Sequence, residues 1–597
     1  MVSFPAPASY KFNTFKGIRT RHGIAANGTI SATVCQNVDF APSAYDAGVL
    51  IRTSYGNYKV LEYETLYAFV YQNHIAYVKD LQITSTTKFY DETETEIEDE
   101  NWAAALNDDD EYVVQYDEND AEYDSTKNTS IWTIVKGFEA SQEGRKHLLF
   151  YVENSSIGRL VEYNSSGGNY TTLVDNLTKT ETGEANGFTM IDAAYDVFIF
   201  TNGIEYYSVQ IYPQQVITQL HPEYEGKAVT GLAICEQDGS LVIGSNEGVV
   251  LASRKGDVTD FDYATPTDSN KAWYQIFGKK ITAVVPYIDA LLVFTEEDST
   301  VLSGNMSNAD TAVRQDASLG GCMSYESWCK HDKYLFFYDN RQKNIYYYMQ
   351  NNYGQKVLGE PIAPEVQKFF NNVERLQMVS YIGDNRSEIW LLSNNFKLIY
   401  DYYIGEWGER NCQALTSYFV YDNAVFSTGS YKCFREKAGN LCMFDGVYYP
   451  SQYSMQLINL GSFSNMKEME IQPLFSVTQD FNNTFFIDCT INGKKTKTKY
   501  VKMFFQGAIW ADETPQDDGT PEAELWAEGD DQYDMTVVGQ VFPAENDSVI
   551  QQIKGKFISN WYYLQFTIRT EKQGEDFSIT CFEIKGITQE DDTTGRK

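Results

Sequence analysis

The side chains that could do chemistry in this 597-residue chain are five histidines, nine cysteines and 83 acids. The histidines are His22, His74, His147, His221 and His331. None stands at metal-ligand spacing from another histidine. His331 lies two residues after Cys329, but a tetrahedral zinc site needs four ligands and the sequence supplies no second pair. No Gly-x-Ser-x-Gly elbow and no Gly-x-x-x-x-Gly-Lys loop occurs, so neither an activated serine nor a phosphate cradle is offered. Glycoside hydrolysis needs two carboxyls facing each other across a cleft. Nothing singles out two among the 83. The expectation is a protein that is not an enzyme and that holds no cofactor and no metal.

The cysteines are odd in number, scattered, and contain no Cys-x-x-Cys. Buried free thiols are expected rather than a disulfide framework. Acids cluster in a tract over 91–124 that contains no Lys or Arg. Such a block repels itself and reads as a solvated insertion, with bounds at 88–128. Closely spaced Asp residues can also ligate calcium, but the tract lacks the glycine and fixed spacing of a calcium loop.

The formal charge of −36 argues against binding nucleic acid through its phosphates, which takes clustered Lys and Arg. It suits a wall that DNA passes without sticking, and equally a large β protein kept soluble by charge. Met1–Tyr10 has neither the basic start nor the apolar core of a signal peptide. No apolar run is long enough to span a bilayer. The expectation is a soluble chain, without a membrane anchor, that folds in a cytoplasm.

The elements that must position any site are strands. Aromatic residues make up 15% of the chain, with 44 Tyr and 35 Phe; tyrosine suits sheets because its ring packs while its hydroxyl stays wet. Over 281–304 a β-branched run, a continuous apolar run (Leu291–Thr295) and a return strand are separated by polar turns. Apolar runs of this kind begin at residues 148, 197, 241, 291, 334 and 389, each followed by a polar turn and a return strand. A β unit recurring every 40–55 residues is the signature of a propeller. The predicted architecture is all-β. An N-terminal extended segment (1–60) reads as an edge strand and loop. A propeller of six to eight blades (61–448) follows, with the hairpin 66–78 and the stretch 417–444 as further blade material. A C-terminal β-sandwich (449–597) completes the chain. In the last part, 453–475 and 484–492 read as long strands, and 557–570 with 577–587 as a closing hairpin. The insertion 504–543 carries Phe504, Phe505, Ile509, Trp510 and Trp526; its length and aromatics make it the candidate gate or docking loop.

Several stretches resemble one family. Ser253-Arg254-Lys255-Gly256-Asp257-Val258-Thr259-Asp260-Phe261 resembles a loop of phage virion proteins related to tail nozzles and DNA-stabilisation proteins of short-tailed phages, although Val258 stands where that family often has proline. The strands and turn of 281–304 follow in the family's order. Ser318-Leu319-Gly320-Gly321-Cys322-Met323-Ser324 is similar to its next blade, and Asn37-Val38-Asp39-Phe40 to its N-terminal motif. The stretches 401–407 and 554–568 also fit. The resemblance implies a structural virion protein of the tail, assembled in the host cytoplasm. It would form a ring, often of six subunits, below the portal and adaptor. The ring would continue the DNA channel and help retain and eject the genome, without catalytic residues and without specific DNA binding. The rival reading is a receptor- or glycan-binding propeller at the tail periphery.

Overall fold

A computed structural model of the chain describes residues 9–19, 28–42, 48–63, 67–71, 74–78, 89–90, 132–154, 156–164, 169–179, 183–190, 196–264, 270–307, 312–350, 356–383, 386–458, 469–477, 483–491, 494–502 and 564–588. The acidic tract 91–124 and the proposed gate residues Phe504, Phe505, Ile509, Trp510 and Trp526 lie outside these residues. The regular structure of the described residues is nearly all strand, with one 3-10 helix at Pro364–Asn372. It divides into two discontinuous compact units. One comprises Met1–Asn57, Phe396–Cys412 and Lys437–Lys597; the other comprises Tyr58–Asn395 and Gln413–Glu436.

The second unit is a propeller with six four-stranded sheets. Blade 1 is Thr133–Gln142, Arg145–Glu153, Ile157–Asn164 and Asn169–Thr178. Blade 2 is Asn186–Met190, Val197–Thr201, Tyr206–Gln210 and Val216–Leu220. Blade 3 is Ala233–Gln237, Ser240–Gly244, Val249–Ala252 and Trp273–Ile276. Blade 4 is Ala283–Tyr287, Ala290–Phe294, Asp298–Ser303 and Val313–Gly320. Blade 5 is Trp328–His331, Tyr334–Asp339, Asn344–Gln350 and Lys356–Leu358. Blade 6 orders Ser417–Tyr421, Ala424–Gly429 and Lys432–Leu441 with Tyr55–Glu62 as its outermost strand. An early segment therefore closes the last blade, and the Tyr63 amide donates to the Tyr431 carbonyl at 2.7 Å. The hairpin Leu376–Gly383 with Arg386–Ser393 stands between blades 5 and 6 and completes the ring.

Five of the six continuous apolar runs became the second strand of a blade, where both faces are covered, and the run at 389 became the Arg386–Ser393 strand of the hairpin. Leu291, Leu292, Val293 and Phe294 are all at most 2% exposed. Val293 and Leu291 pack toward blade 3, and Leu292 and Phe294 toward blade 5. Each such side chain stabilises the fold by about 1.5–3 kcal/mol. The polar turns carry their own hydrogen bonds. Thr295 Oγ1 donates to Asp298 Oδ1 at 2.7 Å and accepts from the Asp298 amide at 3.1 Å. The hairpin predicted at 66–78 is present as Tyr67–Tyr71 with His74–Val78. It belongs to a separate three-stranded sheet with Phe89–Tyr90 rather than to a blade.

The first unit is a curled, branched sheet, and the terminal segments lie together in it. The order runs Val38–Pro42, Val49–Thr53, Ser578–Thr588, Ser9–Ile18, Gly28–Gln36, Glu406–Glu409 and Lys397–Asp401. Gln452–Met455 pairs with both Gly28–Gln36 and Leu564–Arg569, which branches the sheet. Ser9–Ile18 is therefore an interior strand, not the edge expected. The predicted closing hairpin is not one. Leu564–Arg569 pairs with Gln452–Met455 and Thr484–Ile491, whereas Ser578–Thr588 pairs with Met469–Val477 and the N-terminal strands. The run 453–475 holds two strands, Gln452–Met455 and Met469–Val477. These pairings join residues hundreds of positions apart, which periodicity cannot register. The close approach of Ser9–Ile18 to Trp407 requires glycine at Gly17, where a Cβ would fall inside the Trp407 backbone.

Candidate functional site

All nine cysteines are free and buried. Burial pushes the Cys322 and Cys442 thiols up to about 12, so neither presents a thiolate near neutral pH. The folded chain is expected to react slowly with a thiol-modifying disulfide reagent, with nine equivalents consumed only after unfolding. Several fast equivalents in the native state would contradict that. His331 is also structural. Its Nδ1 lies 2.9 Å from Ser380 Oγ and its Nε2 lies 2.7 Å from Ser387 Oγ, joining blade 5 to the hairpin.

The chemistry that the fold does assemble sits on the propeller axis. Residues 322–327 leave blade 4 and turn before entering blade 5. The turn is fixed by serine: the Ser324 amide donates to Ser327 Oγ at 2.7 Å, and Ser327 Oγ donates to the Ser324 carbonyl at 2.9 Å. The segment is pinned on both sides. The Cys322 amide donates to the Thr295 carbonyl at 2.9 Å, and the Met378 amide to the Glu326 carbonyl at 2.8 Å. Gly321 lies so close to the Glu296 carbonyl that a Cβ there would clash.

From this turn two side chains cross the axis. Tyr325 donates its hydroxyl to the Ala185 carbonyl, just ahead of blade 2, at 3.1 Å. Glu326 reaches Lys136 of blade 1 at 2.6 Å and Arg375, ahead of the hairpin, at 2.8 Å. Blades 1 and 5 are not neighbours in the ring, so these contacts bridge the channel. Lys136 Nζ also stands 4.8 Å from the Tyr325 ring centroid, a cation–π contact.

The electrostatics follow from two cations sharing one carboxylate. Burial alone would push the Glu326 carboxyl up, but Lys136 and Arg375 outweigh it and hold it below the ordinary glutamate value. Burial draws Lys136 down, and Glu326 restores only part of that because Arg375 competes for it. Burial and the nearby Glu326 raise Glu184. Burial, with Glu326 second, raises the Tyr325 hydroxyl well above its usual value. Arg375 has its donors committed: Nε to Glu326 at 2.9 Å and Nη1 to the Thr416 carbonyl at 3.1 Å.

The bridge separates two cavities. One, of about 230 Å³, lies among the inner strands beside Lys136, Phe138, Trp328 and Tyr418. The other, of about 460 Å³, opens at the mouth beside Glu184, Lys280, Thr282, Glu296, Tyr325 and Glu374. Of these residues Thr282 and Glu296 fall in the 281–304 unit and Tyr418 in the 417–444 stretch, legible in the sequence only as strand and turn. Lys136 and Glu326 are 190 positions apart, and neither stood out.

The stretches that carried the family resemblance turn out to be joints of the framework. Asn37 is fully buried at φ 51°. Its Nδ2 donates to the Asn411 and Pro450 carbonyls, each at 3.0 Å, and its Oδ1 accepts from the Asn411 amide at 2.9 Å. Asp39 pairs with Lys437 at 2.9 Å. Burial would raise the Asp39 carboxyl, but Lys437, Arg410 and Arg52 hold it at about 2. The 253–261 loop folds on Asp257, whose Oδ1 accepts from the Thr259 amide and hydroxyl at 2.9 and 2.6 Å. That loop buries Val258 and Phe261 in the core that joins blades 2 and 3.

No known protein family and no curated protein sequence matches the chain. Among solved structures it is similar to the extracellular domain of BT4673 from B. thetaiotaomicron, at 9% identity and a TM-score of 0.33. That match covers 63% of this chain and 47% of that one, so the chain spans about half the length of that protein. A chain of the mitotic checkpoint complex gives 11% identity and a TM-score of 0.33, with 56% of this chain and 99% of that chain covered. The computationally designed Ika8 protein gives 12%, 0.28, 51% and 98% in the same order. Likenesses this distant carry no argument about what the protein does.

Proposed function

We propose that this chain is a ring-forming structural protein of a short phage tail, a nozzle-type subunit that continues the DNA channel. The observation that carries the reading is where the resembling stretches sit. Asn37 and Asp39, the Ser253–Phe261 loop and the 318–324 stretch are joints of a rigid β framework, as a load-carrying wall would require. The bridged propeller axis adds a constraint. With Glu326 held 2.6 Å from Lys136 and 2.8 Å from Arg375, DNA cannot run through the propeller itself. The lumen must instead be enclosed between subunits. The charge of −36, repeated around a closed ring, would keep the phosphate backbone off its wall.

The test is electron microscopy of the purified full chain, together with antibody-labelled virions. Closed rings and label confined to the end of the tail axis are expected. Monomers at every concentration, or virions without label, would overturn the proposal. Label around the tail periphery would favour the second reading, a glycan-binding propeller. One feature supports that rival: Tyr224, Tyr263 and Tyr274 cluster with ring centroids 4.8–5.8 Å apart, and Tyr274 is 38% exposed. Sugars stack on such rings, so Tyr274→Ala would then weaken attachment to the host surface.

A further inference from the structure

In the first unit the strand Lys494–Lys502 pairs antiparallel with Thr484–Ile491 and, among the described residues, with no other strand. It is an edge, and an edge offers a row of backbone donors and acceptors to another strand. Its sequence is Lys-Lys-Thr-Lys-Thr-Lys-Tyr-Val-Lys. Five of the chain's 47 basic residues therefore fall on nine positions of a protein with a charge of −36. The register sets Lys497 opposite Cys489 and Lys499 opposite Ile487, so these two lysines share one face of the sheet. Lysine on an edge ordinarily keeps two like edges apart. The same charges welcome a strand of opposite sign, because opposite charges directly across a strand pair attract and like charges repel.

The complementary pattern stands in the acidic tract. Glu92, Glu94, Glu96 and Glu98 alternate with Thr93, Thr95 and Ile97. That is the period of a strand, with β-branched residues between the charges. Run antiparallel to the edge, Glu94 comes opposite Lys499, Thr95 opposite Thr498 and Glu96 opposite Lys497, while Glu98 reaches Lys495. Neither pattern suits itself: edge on edge sets lysine against lysine, and tract on tract sets glutamate against glutamate. Contact between copies is then head to tail, the kind that closes a ring rather than a two-fold dimer.

We propose that residues 92–98 of one copy add as a strand to the Lys494–Lys502 edge of the next. The pairing rests on the ring-forming reading, since a second copy supplies the added strand.

The test is sedimentation velocity of the full chain and two charge-reversed variants. One carries Glu94→Lys, Glu96→Lys and Glu98→Lys; the other carries Lys495→Glu, Lys497→Glu and Lys499→Glu. Each alone should need at least about tenfold more protein to reach half-assembly. An equimolar mixture of the two should assemble again, because each variant's tract then fits the other's edge; that recovery also shows both are folded. A milder variant with Glu94→Gln, Glu96→Gln and Glu98→Gln, which leaves the edge untouched, should weaken assembly several-fold and reduce its sensitivity to salt. Recovery only when both reversals stand in one chain, and not on mixing, would place the pairing within a copy and overturn the inference. So would edge reversal that abolishes retention on duplex DNA while assembly stands, which would assign the lysines to phosphates. Assembly of the natural chain with indifference to every variant would overturn the pairing alone. A natural chain that stays monomeric at every concentration would overturn the ring reading with it.

Discussion

Glu326→Ala should lower the thermal midpoint of the full chain by several degrees, because it strands two cations on the propeller axis. The Glu326 side chain is 2% exposed, and its partners Lys136 and Arg375 are 12% and 31% exposed. Breaking a buried pair by removing one partner costs about 3–5 kcal/mol, because the remaining charge stays desolvated. Arg375 can turn partly to water, so the lower half of that range is expected. Replacing a buried pair by apolar groups is close to neutral by comparison. Lys136→Met with Glu326→Leu should therefore cost much less than the two single changes added together. Scanning calorimetry of the four proteins decides the matter, and strict additivity would mean that the bridge holds nothing. The pH dependence has a definite sign. The folded Glu326 carboxyl titrates below its usual 4.5. Its contribution is therefore complete above that value and disappears as pH falls through the folded value. The Ala variant should show a shallower loss of stability in acid over that window.

Asn37→Ala should be comparably damaging in the other unit. The side chain makes three hydrogen bonds to Asn411 and Pro450 from a fully buried position. Its removal orphans one amide and weakens two carbonyls, each at about 1–3 kcal/mol when left unpaired. At a φ of 51° the left-handed backbone costs a residue with a Cβ about 1–2 kcal/mol. A total of about 3 kcal/mol or more is expected, read as a shift in the chemical-denaturation midpoint. Asn37→Gly should recover the backbone part and none of the hydrogen-bonding part. If Ala and Gly cost the same, the left-handed backbone is not strained. If both cost under about 1 kcal/mol, the residue is not a joint. Asp39, two residues on, sets the acid limit of this unit. Its carboxyl drops from 3.8 to about 2 on folding, worth about 2 kcal/mol. That stability is complete above the unfolded value and lost as pH falls through about 2.

The sequence determined the local elements of this protein. Strand existence, the recurring unit and the polar turns were legible because their causes are local. A strand covered on both faces must be apolar throughout, as Ala290–Phe294 is, and a tight turn must carry groups such as Thr295 and Asp298 that satisfy its own backbone. The all-β class and the propeller followed from repetition of these elements. The tertiary structure decided what depends on distant pairing. It placed Ser9–Ile18 inside a sheet beside Ser578–Thr588, and it closed blade 6 with Tyr55–Glu62. It also carried Tyr325 and Glu326 across the propeller axis. Lys136, Glu326 and Arg375 are ordinary surface-type residues in the linear chain. They become a buried bridge only because blades that are not neighbours face one another across a narrow channel. No periodicity along the chain encodes that distance, since the bridge is made by closing the ring.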